Sequence, residues 1–167
     1  MYARKRIVLD TNVIIDAFVR GKDLRSRSSA ELLRRIQRGE YIGVLPSPIL
    51  VEIYYVVLDF TKDPERARKV LRDLLGLPYM ETRGIEKEHA LQAIEYYRNS
   101  NYFHLGHSDK LGKRLDGLSL VDALVLAVGK GIPGSVVCSN ESRFTQVKDV
   151  EVKKPWELVD VVIEKAT

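Results

Sequence analysis

The sequence predicts an α/β fold in which a short, mostly parallel central sheet is covered by helices on both faces. Three observations lead there. Short apolar runs of strand type alternate with amphipathic or apolar helical segments along the whole chain. The 167 residues, 19.0 kDa, are the length of one domain spanning 1–167 that can bury a substantial core. A single cysteine, Cys138, excludes a disulfide framework, so packing has to supply the stability.

The elements follow in order. Residues 7–9 form the first strand, and 13–19 a helix that Thr11 or Asn12 can cap. Residues 28–38 are amphipathic through Ala30, Leu33 and Ile36, with Gly39 as the stop signal. A second strand spans 41–45. Ser47 suits the N-cap and Pro48 the first helical position of a helix reaching about Phe60. Asp63-Pro64-Glu65 opens another helix in the same way, ending near Gly76. A short third strand is expected at 77–81, and a helix at 86–99 with Ala90, Ala93, Ile94 and Tyr97 on one side. The 99–117 stretch is irregular, whereas 119–130 is apolar nearly all round and reads as a buried helix. Strands at 135–139 and 150–152 and a terminal helix at 155–165 complete the pattern. In such sheets the functional site lies beyond the carboxyl ends of the strands.

Composition narrows the function classes. With 45% hydrophobic and 30% charged residues the chain is globular rather than disordered. No apolar run approaches the length of a membrane span, and the first ten residues, Met-Tyr-Ala-Arg-Lys-Arg-Ile-Val-Leu-Asp, lack a signal-peptide core. A cytoplasmic protein without a membrane partner is therefore expected. His104 and His107 lack a third ligand, which argues against zinc. The net charge of +4 is mildly basic, and its distribution is uneven. Between Arg20 and Arg38 seven Lys/Arg, including Arg25 and Arg27, face only Asp23 and Glu31. Such a stretch can be a solvated helix face or a surface for a polyanion.

The informative residues are acids set in apolar runs. Asp10 ends the first strand in Ile-Val-Leu-Asp-Thr-Asn-Val-Ile-Ile. Glu52 is the only charged residue between Glu40 and Asp59, and Asp122 the only one between Asp116 and Lys130. An ionised carboxylate in such surroundings needs a partner. Asp10 can cap the next helix, and Asp122 can close a capping box with Ser119; Glu52 has no comparable local role. The topology can bring all three to one edge of the sheet, where they can share a cation. A phosphatase with an aspartate nucleophile would want Asp-x-Asp after the first strand, and Asn12 stands at the second position.

Four segments carry a family resemblance: Leu-Asp-Thr-Asn-Val at 9–13, Pro-Ile-Leu-Val-Glu-Ile at 48–53, Leu-Ser-Leu-Val-Asp-Ala-Leu at 118–124 and Val-Cys-Ser-Asn-Glu-Ser-Arg-Phe at 137–144. In this order and spacing they resemble the PIN-domain ribonucleases, particularly the VapC-like toxin branch. The resemblance implies a compact α/β/α fold, Mg²⁺ or Mn²⁺ held by acids, and endonucleolytic cleavage of RNA. It assigns catalysis to Asp10, Glu52, Asp122 and Glu141, with Asp10, Asp122 and Glu141 as metal ligands. Thr11, Asn12, Ser139 and Asn140 take supporting positions. The fourth segment departs from the family's usual Thr-x-Asp-x-x-Phe, because Glu141 replaces the aspartate and Ser139 the threonine.

A second departure is an insertion of about a dozen residues within 99–117. It carries Tyr102, Phe103, His104 and His107 together with Lys110, Lys113 and Arg114. Aromatic and basic residues together can stack bases and hold phosphates, so Lys110, Lys113, Arg114, Arg25 and Arg27 are candidate RNA contacts. A plain surface insertion or a subunit contact is the competing reading.

The expected setting is a toxin–antitoxin pair, with RNA as substrate and a small antitoxin protein as partner. The alternatives are a PIN nuclease of rRNA maturation or RNA decay, and a non-catalytic RNA-binding or scaffold domain. The helix at 48–60 carries Tyr54, Tyr55, Val57 and Leu58 beyond the needs of one buried face, which predicts a homodimer.

Overall fold

Five strands form the centre of the molecule: β1 (Arg6–Leu9), β2 (Ile42–Pro46), β3 (Met80–Arg83), β4 (Val136–Cys138) and β5 (Val152–Lys153). The structure, a computed structural model, describes residues 4–102 and 117–159. The strand order is β3-β2-β1-β4-β5, and every neighbouring pair is parallel. Ile7 pairs with Gly43 on one side and Val136 on the other, and Leu9 pairs with Cys138. Ile7, Val8, Leu9, Val136, Val137 and Cys138 are all fully buried, as a central parallel strand requires when both faces are covered.

The helices are α1 (Thr11–Phe18), α2 (Leu24–Gln37), α3 (Ser47–Thr61), α4 (Pro64–Leu75), α5 (Lys87–Tyr102), α6 (Leu120–Gly131) and α7 (Pro155–Val159). The β1→β2 and β3→β4 connections run in opposite directions across the sheet. Right-handed crossovers therefore place α1–α2 and α5–α6 on opposite faces. α7 packs on α2, and α3 on α4. A Cβ at Gly129 would collide with Val137, so glycine lets α6 sit close to β4. Gly39, at φ +76°, ends α2 in the left-handed conformation, and the Glu40 N–H closes the turn on the Arg35 carbonyl at 3.0 Å.

The chain leaves β1 towards β2 and returns across it to β4. The strand order thus reverses beside β1, and the crevice at its carboxyl end is the switch point where α/β sheets bind ligands.

Several element ends differ from the sequence expectation. Of the three caps the sequence offers for α1, Asp10 is the one used, and the helix begins at Thr11 rather than Val13. α2 starts at Leu24, four residues before the expected point, because Asp23 accepts the Ser26 N–H at 2.9 Å. Arg25 and Arg27 therefore lie within its first turns. Ser47 is the first residue of α3, not its cap, and no side chain caps that end. The third strand is shifted to Met80–Arg83.

The buried face of α5 runs through His89, Ala93, Tyr96 and Ser100, while Ile94 is exposed. His89 accepts the Glu86 N–H at 3.1 Å, and the Tyr96 hydroxyl donates to Asp149 at 2.9 Å, so both polar side chains have partners. On α3, Val57 belongs to the core, Tyr54 and Leu58 pack partly against it, and Tyr55 faces solvent with Val51 and Phe60. Tyr102's side chain, Phe103, His104, His107, Lys110, Lys113, Arg114 and the end of the terminal helix lie outside the described residues. No helix among the described residues is long and apolar enough to cross a membrane.

Candidate active site

Asp10 is the first residue beyond β1, buried at the strand order's reversal. Its Oδ1 accepts the Thr11 N–H at 2.7 Å, an N-cap bond that fixes the carboxylate at the start of α1. Its Oδ2 accepts from the Asn12 amide at 2.6 Å and from the Ser139 hydroxyl, just past β4, at 2.7 Å. The Asn12 carbonyl in turn accepts the Asn140 N–H at 2.9 Å, and the Ser139 hydroxyl accepts the Glu141 N–H at 3.0 Å. The first and fourth sequence segments are thereby stitched together across the crevice.

Glu52 reaches the same place from α3. Its carboxylate accepts a hydrogen bond from the Thr11 hydroxyl. Asp122 arrives from the first turn of α6 and forms the expected capping box: its Oδ2 accepts the Ser119 N–H at 2.8 Å, and its own N–H donates to the Ser119 hydroxyl at 3.1 Å. Capping and membership of the acid set are compatible, because among the described residues Asp122 Oδ1 has no partner.

These placements make the pocket electrostatically unusual. Burial pushes the Asp10 carboxyl up to about 7, the neighbouring carboxylates of Asp122 and Glu52 add to that, and the Ser139 and Thr11 hydrogen bonds oppose it. Among the described residues no lysine or arginine pairs with Asp10. Burial likewise raises the Cys138 thiol well above its ordinary value, leaving it an inert core residue.

Glu141 stands apart from the other three acids. It follows Ser139 and Asn140 on the same loop, but its carboxylate bears on Lys154 rather than chiefly on Asp10. Lys154 follows β5; burial and the nearby Arg25 lower its pKa, and Glu141 opposes that. Arg25 is therefore within electrostatic range of Lys154. Arg27 is exposed on the same helix. Among the described residues no three acidic, histidine or cysteine side chains are gathered tightly enough to hold a metal ion as they stand.

Three residues of this region escaped the sequence reading. Asp16, one turn after Asn12, is buried and accepts from the Asn140 amide at 2.5 Å while pairing with Arg20 at 3.3 Å. It too is an acid in an apolar run, Val-Ile-Ile-Asp-Ala-Phe, and the same criterion would have found it. Arg143 places Nε 3.0 Å from Asp122 Oδ2. Lys154 feels the charge of Glu141 although the two are far apart in sequence.

A parallel α/β/α fold with buried acids at its switch point defines the class of protein. The profile of the PIN domain matches residues 7–150, and the chain belongs to that family. Two solved structures share the fold. One is VapBC2 from Rickettsia felis bound to a DNA fragment from its promoter, 15% identical with a TM-score of 0.63, covering 89% of this chain and 97% of the other. The second is DNA-bound VapBC from Salmonella typhimurium, 17% identical with a TM-score of 0.62, covering 92% and 99%. No curated protein matches the chain in sequence.

Proposed function

We propose that the protein is a metal-dependent endoribonuclease and the toxin of a toxin–antitoxin pair. The observation that carries this reading is Asp10: a buried carboxylate with two further carboxylates raising its pKa and no lysine or arginine paired with it among the described residues. That unmet negative charge, offered entirely by oxygen donors, fits a hard divalent cation. Asp10 and Asp122 would hold it, with Glu141 turning in from its place beside Lys154 and Glu52 completing the acid set.

A bound Mg²⁺ or Mn²⁺ supplies a lowered pKa for water and stabilises charge on the phosphate and the leaving oxygen. The chain's own residues do the positioning. Ser139 and Asn12 fix the Asp10 carboxylate, and Thr11 fixes Glu52, which would take a proton from the attacking water. Arg25 and Arg27 form a basic approach for the RNA backbone.

The resemblance to VapC-like toxins supports RNA as the substrate. The VapBC structures that share the fold support a small antitoxin as partner, and the exposed apolar face of α3 supports a homodimer. The test is cleavage of single-stranded RNA by purified protein with Mg²⁺ or Mn²⁺, stopped by EDTA, together with growth arrest on expression that is relieved by the product of an adjacent small reading frame. RNA left intact under all these conditions would overturn the nuclease reading.

A further inference from the structure

The Arg143–Asp122 contact is the one ion pair, among the described residues, that reaches any of Asp10, Glu52, Asp122 and Glu141. Its geometry is unusual for a structural salt bridge. Nε lies 3.0 Å from Asp122 Oδ2, yet its N–H is buried and not aimed at an acceptor. Among the described residues Nη1 and Nη2 have no partner either. Among the described residues none of the five guanidinium donors makes a hydrogen bond, although the charge is held beside a buried acid.

The arginine is not the only partner of Asp122. Its Oδ2 already accepts the Ser119 N–H at 2.8 Å within the capping box. Of the other cations nearby, Arg20 is paired with Asp16 at 3.3 Å. Arg143 keeps about a third of its side chain exposed, whereas Asp122 is buried. It therefore stands beside the acid set, its Nε buried and its two Nη groups without a partner among the described residues. A phosphodiester is an anion entering a pocket of carboxylates, and a guanidinium is the side chain best matched to its two free oxygens.

We infer that Arg143 is the phosphate-binding residue of the site: Asp122 tethers it by charge while its unspent donors take the phosphate of the bond to be cleaved. This rests on the nuclease reading above and adds the group that receives the substrate.

The experiment is fluorescence anisotropy of a labelled single-stranded RNA in EDTA, where binding is read without cleavage, over a salt series. Circular dichroism checks the fold of each variant. Arg143→Gln should weaken binding at least roughly tenfold and make the salt dependence shallower by about 0.7. Arg143→Lys should keep the slope but bind several-fold more weakly, because the charge survives and the fork does not. Wild-type affinity and slope in Arg143→Gln would overturn the inference alone, provided the wild-type protein binds and cuts RNA. If Arg143→Gln fails to fold, wild-type affinity in Arg143→Lys would overturn it instead. A wild-type protein that neither binds nor cuts RNA would overturn the nuclease reading and this inference with it.

Discussion

The Ser139 hydroxyl donates to Asp10 Oδ2 at 2.7 Å, joining residues 129 positions apart. The bond exists because β1 and β4 are adjacent and parallel, in a register that pairs Leu9 with Cys138. The next residue on each strand then faces the other across the crevice. The same hydroxyl accepts the Glu141 N–H at 3.0 Å, so one small side chain orders both the first acid and the segment carrying the fourth. Ser139→Ala removes a donor that holds the Asp10 pKa down. The pH–rate profile should shift to higher pH, and kcat/KM should fall about 10- to 100-fold, as for partners of metal-binding groups elsewhere. A profile unmoved on the pH axis would show that the hydroxyl does not tune Asp10.

Asp10→Asn should end cleavage, a loss of at least ~100-fold, with the fold intact. An amide keeps the shape and can accept the Thr11 N–H, but it carries no charge for a divalent cation. Glu141→Gln should lose less, because the Glu141 carboxylate bears on Lys154 rather than chiefly on Asp10. The two rates, measured on one RNA with Mn²⁺, set the order. Equal losses would place Glu141 on the same footing as Asp10.

Thr11→Val tests the Glu52 hydrogen bond by itself. The change is nearly isosteric and removes only the hydroxyl that Glu52 accepts from. Activity should fall about 10- to 100-fold, with a stability change near ~1 kcal/mol. Steady-state kinetics and urea unfolding separate the two. A large stability loss with proportionate activity loss would make Thr11 a packing residue.

The raised Asp10 pKa also makes the metal-free protein's stability depend on pH. The carboxyl titrates near 3.8 in the unfolded chain and at about 7 in the fold. Between those values the folded state holds a proton that the unfolded state has released. Asp10's contribution is therefore fully present below about pH 4 and declines as pH rises, the loss being complete above about 7. The displacement corresponds to roughly 4 kcal/mol. Urea unfolding in EDTA at pH 5 and pH 8 should show wild type losing more stability than Asp10→Asn across that interval. Mg²⁺ at pH 8 should restore the difference, since the cation binds the deprotonated form. Parallel curves for the two proteins would mean that Asp10 ionises normally.

What was legible in the sequence is what acts locally or against a strong background. Asp10, Glu52 and Asp122 stood out because an acid in an apolar run has few ordinary explanations. The strand–helix alternation pointed to a parallel sheet covered on both faces, but not to its strand order β3-β2-β1-β4-β5. Arg143 was hidden because an arginine in a polar loop looks like any surface cation; only the approach of α6 puts Asp122 beside it. The start of α2 was hidden because Leu24-Arg25-Ser26-Arg27 has no apolar stripe, and a single Asp23 cap decides it. On α5 the apolar residues pointed to Ile94, yet His89 and Tyr96 are buried because their polar atoms find partners at Glu86 and Asp149. Such partners lie outside any local window or are made by a backbone N–H that hydropathy does not register.

The exposed face of α3 makes the last prediction. Val51 and Tyr55 are 74% and 68% exposed and lie one turn apart, so they share a face. Leu120, at the start of α6, is 56% exposed, and α6 packs on α3. Apolar side chains exposed at this level, with an aromatic among them, suit the core of a subunit contact. A second copy of the chain can cover them by twofold pairing, each Tyr55 packing against the partner's α3. The protein should then sediment at twice the 19.0 kDa chain mass at micromolar concentration. Tyr55→Lys puts a charge into that contact and should weaken the dimer by ~2 kcal/mol or more, about 30-fold in dissociation constant. Because Tyr55 faces solvent in the single chain, the same change should leave the monomer's unfolding free energy within about 0.5 kcal/mol of wild type. A wild-type protein that stays monomeric would remove the homodimer and leave this face for a different partner.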